Sequence, residues 1–106
     1  MIQELDTAHD VDENGNPHGG HAYGTGIKID WQRGPLGRDG DRVAANGAFV
    51  EGVIQAAIDR IEFYQGSKFH CVENAVALGH LKAASEVLQE RTRERERREV
   101  EGTHAV

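Results

Sequence analysis

One stripe on the C-terminal helix constrains this chain more than any other feature. Leu81, Ala84 and Leu88 recur at spacings of three and four, which places them on one face of an α-helix. The same stripe runs on as Arg91, Arg95 and Arg98. An apolar seam that ordinarily buries itself in a partner therefore turns into a row of guanidiniums. A planar guanidinium pairs bidentately with phosphate or carboxylate, so this face suits a bound anion. The spacing is equally compatible with an arginine-rich helix end that is simply solvated.

At 106 residues the chain is long enough for one small domain. Its 38% hydrophobic and 6% aromatic content is thin for a self-sufficient core, so oligomerisation would help it. A net charge of −6 argues against binding nucleic-acid polymers, which need a basic face to release counterions. It leaves room for a small anion, because a local arginine cluster works inside an acidic protein. Cys71 is the single cysteine, so no internal disulfide can form, and a reducing cytoplasm fits. The N-terminus MIQELDTAHD lacks a basic region followed by an apolar run, so no signal peptide is expected. No stretch has the apolar length of a membrane span.

Periodicity divides the chain. Residues 1–20 are polar and glycine-rich and read as a flexible arm, with at most one short edge strand. Over 21–33, Tyr23, Ile27, Ile29 and Trp31 alternate as one face of a strand. GPLGRDGDR is a loop, short strands near Val43 are compatible with the sequence, and Asn46-Gly47 is a turn signal. A helix is predicted from about Phe49 to Gln65, with Val50, Val53, Ile54, Ala57, Ile58, Ile61 and Tyr64 as its apolar stripe. Gly66-Ser67 ends it. A second helix is predicted from about Cys71 to Glu99, with Cys71, Ala75, Leu78, Leu81, Ala84 and Leu88 inward and Gly102 as its stop.

The fold class that follows is α+β. Short antiparallel strands over 21–45 precede a long antiparallel helical hairpin over 46–104, forming one domain over 21–104. The helices differ in length, roughly 25 Å against 43 Å at 1.5 Å per residue. The arginine segment overhangs, which points to a second protomer and a dimer or higher oligomer.

Several motifs compete for a chemical role. Asp10, Asp12, Asn14 and Gly15 open like a calcium loop, but His21 stands where the pattern needs a bidentate glutamate. His9, His18 and His21 lack an accompanying cysteine, so a structural zinc site is disfavoured. Cys71 begins a helix, and a packed thiol is favoured over a nucleophile. Gly24-Thr25-Gly26 does not lie between a strand and a helix, so it is no phosphate loop. No triad, paired-carboxylate or metal-hydrolase spacing stands out, and nothing argues for an enzyme or a cofactor.

In the run Arg91–Arg98, Glu90–Glu94 and Arg93–Arg97 are like-charged pairs at i,i+4. The segment therefore does not read as a self-bridged helix, and some arginines should be committed elsewhere. Glu73 suits the N-terminal end of a helix dipole. Asn74 is out of place on an inward face, where an amide can read a base edge, and Tyr64 offers a ring on which a base can stack.

These residues resemble a known family. Asn46-Gly47, Glu51, the run Ile58–Gln65, Glu73-Asn74-Ala75, Leu78, His80-Leu81, Arg91-Thr92, Arg95, Arg98 and Val100–Thr103 look like the phage-encoded Thoeris anti-defence sponges. These share a helical-hairpin domain with the anti-CBASS cyclic-nucleotide sponges. Trp31–Pro35 resembles the strand-and-loop segment that precedes the hairpin, and the likeness covers about residues 27–104.

The resemblance implies sequestration without cleavage, in the host bacterial cytoplasm, of glycocyclic ADP-ribose isomers and, for some members, cyclic di- or trinucleotides. It implies that Tyr64 stacks on a base where relatives use phenylalanine, that Asn74 bonds the base, and that Arg91 and Arg95 pair with phosphates. Arg98 belongs to the same arginine set. It also implies that the loop before the hairpin closes over the ligand, with Arg38 its contributor. That loop is longer here than the family pattern, and Phe49 stands where a capping threonine is expected.

Geometry adds a constraint of its own. Arg91 lies seventeen residues beyond Asn74 on one helix, about 25 Å away. One protomer cannot set both against a small ligand, whereas two antiparallel protomers can. The expected assembly is a homodimer, or a hexamer by further association. The competing reading is a structural or adaptor hairpin of a phage assembly, whose arginines meet an acidic partner.

Overall fold

The computed structural model describes all 106 residues. Three strands come first: β1 (Asp6–Val11), β2 (Pro17–Gly24) and β3 (Ile27–Asp30). A 3-10 turn at Asp39–Asp41 follows, then the helices α1 (Val50–Gln65) and α2 (Val72–Arg97). The α+β order and the antiparallel sense of the sheet agree with the sequence reading. The chain divides into one unit of Met1–Phe49 with Val100–Val106, and a second of Val50–Glu99.

The first unit is built where periodicity was silent. Residues 1–20, expected as a polar arm, supply β1 and the first half of β2. The sheet has the order β1-β2-β3, with His9 opposite Gly20 and Ala22 opposite both Thr7 and Ile29. Gly20 shows why the segment looked unstructured. It sits at φ 130°, and a Cβ there would run into the carbonyl oxygen of Ala8. The strand needs glycine for close backbone approach, and this removes the side chain from the alternation pattern.

Residues 21–33 are not one strand. Gly24 pairs with Ile27 across the two-residue loop Thr25-Gly26, with Gly26 at φ 75°, so the segment folds back as a hairpin. The calcium-like start is the β1–β2 loop. Asp12 Oδ1 accepts from the backbone N–H of Asn14 and of Asn16, at 2.9 Å each. The Asn16 backbone bond is the main influence holding the Asp12 carboxyl below its usual range. Asp12 is thus engaged in closing a turn.

Asn46-Gly47 is a clamp as well as a bend. The Asn46 side chain accepts from the Arg33 N–H at 2.8 Å and donates to the Arg33 carbonyl at 2.9 Å. Gln32 Oε1 accepts from the N–H groups of Asn46 and Gly47. A Cβ on Gly47 would lie 2.6 Å from the Trp31 carbonyl group, so the close approach requires glycine. Beside the clamp, Trp31 forms a parallel bridge with Ala48 rather than extending β3.

The second unit is the expected hairpin with its stripe rotated. In α2 the less exposed residues are Asn74, Ala77, Leu78, Leu81, Ser85 and Leu88, then Glu94 and Arg95, whereas Cys71, Ala75 and Ala84 are exposed. Ser85 is the buried residue of α2, and its hydroxyl accepts from the Gln89 amide at 3.1 Å. Counted as apolar, the exposed Ala75 and Ala84 misplaced the face by about one position. In α1, Ile58 is the buried residue, at 4% exposure. Val50 and Tyr64, counted as stripe, remain exposed.

Helix α2 stops earlier than Gly102. Its C-cap is Arg98, and Glu99 follows at φ 60°. Gly102, at φ 79°, belongs to the first unit, where its carbonyl accepts from the Gly37 N–H at 2.7 Å. No helix is long and apolar enough to cross a membrane.

Candidate functional site

The turn of the hairpin fixes two of the expected site residues. Gln65, the last residue of α1, donates its amide N–H to the Cys71 carbonyl at 3.0 Å and accepts from the Cys71 N–H at 2.9 Å. This reciprocal clasp closes the connection and gives the backbone of Cys71, the N-cap of α2, its polar partners. Ser67 adds hydroxyl and N–H bonds to the Tyr64 carbonyl. Tyr64 occupies the last turn of α1 and Asn74 the first turn of α2. Asn74 is half-buried, and its amide donates to the Phe69 carbonyl at 3.4 Å. Its side-chain oxygen stays available to a donor such as an exocyclic amine of a base.

The arginine end of α2 sorts its cations into groups. Arg93 Nε and Nη2 both reach Glu90 Oε2, at 3.0 and 2.9 Å. Arg97 meets Glu94 at 3.0 Å and Glu90 at 3.3 Å. Arg98 Nε meets Glu94 at 2.7 Å. The expectation that this segment would not bridge itself is therefore corrected. The like-charged i,i+4 pairs are present, but pairs at i,i+3, with one at i,i+4, override them. These bonds hold the Glu90 carboxyl below its usual range, the Arg93 bond first, and raise the Arg97 guanidinium, the Glu94 bond first.

Arg91 takes no part in this lattice. It is exposed and has no hydrogen-bond or ion-pair partner in the chain. Arg95 is half-buried and engaged with neighbouring groups, and Arg98 is tied to Glu94.

The expected residues therefore fall at two ends of one unit. Tyr64 and Asn74 share the turn. Arg91, Arg95 and Arg98 share the far part of α2, where its 26 residues outrun the 16 of α1. Arg38 lies in the other unit, where its Nη1 donates to the Glu101 carbonyl at 3.1 Å and lies 3.9 Å from the Glu101 carboxylate. Arg42 Nη1 takes the same carboxylate at 2.7 Å.

Sequence reasoning missed Gln65, Glu101 and Arg60. Gln65 was read only as the end of a helix, and Glu101 lies in a polar segment without periodicity. Arg60 stands at i−4 from Tyr64 and i−3 from Phe63, a helical spacing that could have revealed it. Its guanidinium carbon lies 4.9 Å from each ring centroid, and Nε donates to the Tyr64 hydroxyl at 3.1 Å. No group of three His, Cys, Asp or Glu side chains is arranged to hold a metal ion. His21 instead stacks on Tyr23 at 4.2 Å and approaches Asp6 at 3.2 Å, while Tyr23 donates a short hydrogen bond to Asp30. Cys71 is exposed rather than packed.

Comparison with known proteins bears on the same segment. Residues 24–93 match the family model described as Acb2/Tad1, hairpin domain. The match includes Arg38, Tyr64, Asn74 and Arg91, and leaves Arg95 and Arg98 beyond its end. Over 76 residues, covering 72% of this chain, the sequence is 43% identical to Thoeris anti-defense 1 of Bacillus phage SBSphiJ7. The chain spans about half of that relative's length, 51%. With the helical hairpin described and most of its length inside the matched span, the chain belongs to the Acb2/Tad1 hairpin-domain family.

Proposed function

We propose that this is a phage anti-defence protein that binds and sequesters cyclic-nucleotide immune signals without cleaving them, and so blocks a Thoeris- or CBASS-type host defence. The ligand class is glycocyclic ADP-ribose isomers, with cyclic di- and trinucleotides as further candidates. The name of the Bacillus phage relative supports the anti-defence role. The observation that carries the ligand reading is the partition of the hairpin between its turn and the far end of α2. A ring and a half-buried amide stand at one end, and an arginine without a partner stands at the other. A base suits the first end and a phosphate the second.

The two ends lie about 25 Å apart at the rise of an α-helix, too far for one small ligand. The pocket is therefore shared. Tyr64 and Asn74 of one protomer face Arg91 and Arg95 of an antiparallel partner, with two equivalent pockets per homodimer and hexamers arising by further association. Burial supports an assembly. Ile58 and Ser85 are the buried residues of the two helices, while Val50, Phe63, Val72, Val76 and Val87 are all more than half exposed. A two-helix hairpin with so little interior gains stability from a partner.

A sponge must outcompete the host sensor, which calls for sub-micromolar affinity, on the order of −9 kcal/mol. Several charge-assisted hydrogen bonds of about 1.5–3 kcal/mol each supply this after ordering costs are subtracted. Arg38, in the loop before the hairpin, is a further candidate for a phosphate contact.

Subunit mixing tests the shared pocket. Asn74→Ala and Arg91→Ala homodimers should each fail to retain a glycocyclic ADP-ribose isomer. In the mixed dimer one pocket inherits both changes and the other neither, so about half of the mixed-dimer pockets should bind. Mixed dimers that recover no binding would rule the shared pocket out.

A further inference from the structure

The base end of the hairpin holds a cation as well as a ring. Arg60, Phe63 and Tyr64 lie on consecutive turns of α1, and Arg60 lies within cation–π distance of both rings, 4.9 Å from each centroid. The rings themselves meet edge to face, with centroids 6.1 Å apart and planes at 62°. A ring-to-guanidinium contact alone leaves the guanidinium free to slide. Here Nε–H donates to the Tyr64 hydroxyl at 3.1 Å, which fixes the planar group relative to the ring. That bond requires the hydroxyl, so a phenylalanine at this position would release the arginine. Phe63, 60% exposed, and Tyr64, 37% exposed, keep surface available beside the cation.

We propose that Arg60 is a positioning residue of the base subsite. It locks the Tyr64 ring in one orientation and occupies part of its surface, so that an aromatic base stacks on the remaining surface of a ring already held in place. This rests on the sequestration reading above and specifies how its base end is organised. Preorganisation is the physical gain, because the ring's freedom is already restricted before the ligand arrives. The cation also lowers the electrostatic cost of bringing an anionic nucleotide to the Tyr64 ring.

The test is equilibrium binding of a glycocyclic ADP-ribose isomer to the full chain and to Arg60→Ala, Tyr64→Phe and the double variant. Each is first checked for unchanged melting temperature and oligomer mass. The expected result is a loss of about three- to tenfold for each single variant. The double variant should be no weaker than Arg60→Ala, because both changes delete one shared interaction. A nuclear magnetic resonance signal from the Arg60 Nε–H, slowed in exchange in the native protein and lost in Tyr64→Phe, should report the lock without ligand. Native protein that binds tightly while Arg60→Ala binds equally well would overturn this inference alone, as would losses that simply add. Native protein that retains no ligand would overturn the sequestration reading and this inference with it.

Discussion

The two ends of the hairpin satisfy their polar groups in opposite ways. At the turn, side chains bond to backbone: Gln65 to Cys71, Ser67 to Tyr64, Asn74 to Phe69. Backbone partners cannot rotate away, so this end is geometrically set. At the far end of α2, exposed arginines bond to exposed glutamates on neighbouring turns. Such pairs contribute little to stability and exchange readily for another anion. A fixed end suits a flat, shape-specific base, whereas an exchangeable end suits a phosphate, for which charge matters more than outline.

The largest expected effect separates the arginines from one another. Arg91→Glu should weaken binding of a glycocyclic ADP-ribose isomer by about a hundredfold or more, close to 3 kcal/mol, and leave the sedimentation mass of the oligomer unchanged. Arg97→Ala, which removes an arginine already paired with Glu94 and Glu90, should change binding by less than about threefold. If Arg91→Glu breaks the assembly and spares binding, the adaptor reading is the better one.

An intermediate effect probes the fixed end. Gln65→Ala deletes both bonds of the clasp and should cost about 1–2 kcal/mol in denaturant unfolding. It should also weaken ligand binding, because Tyr64 and Asn74 lose their common frame. Equal stability in the two proteins would mean that the turn is held by other contacts.

The smallest effect concerns acidity at the exchangeable end. Glu90 is held below its ordinary value by Arg93 first and Arg97 second. A carboxyl depressed in the folded state stabilises above its unfolded pKa, and that contribution disappears as pH falls through the folded pKa. Helicity at the end of α2 should therefore decline as pH drops below about 4.3, the ordinary value for glutamate. Glu90→Gln should flatten that part of a circular dichroism titration. An identical acid limb in both proteins would remove Glu90 from the account.

Legibility followed the same division between side chain and backbone. The two helices were readable to within about two residues because large apolar side chains at helical spacing mark them. The exact inward face was not, since Ala75 and Ala84 resemble core residues in a count while Asn74 and Ser85 occupy the less exposed positions. The sheet was hidden for a different reason. At Gly20 and Gly26 the backbone conformation decides the structure, and glycine leaves no alternating side chain to detect. Among the site residues, Tyr64 and Asn74 were visible as chemical types at the turn. The division between Arg91 and its paired neighbours depended on which carboxylates each arginine reaches in three dimensions. Arg60 was visible in principle, because its spacing from Phe63 and Tyr64 is regular.

The central claim is that the protein holds an intact cyclic nucleotide. Capture and release tests it most directly. The protein is mixed with a glycocyclic ADP-ribose isomer and, separately, with cyclic di- and trinucleotides; unbound ligand is filtered away, the protein is denatured by heat, and the released material is identified by mass. The account predicts recovery of intact ligand in the released fraction, near one equivalent per protomer. Cleaved product would contradict it and identify a catalyst, and the absence of any retained ligand would assign the arginine end of α2 to a protein partner.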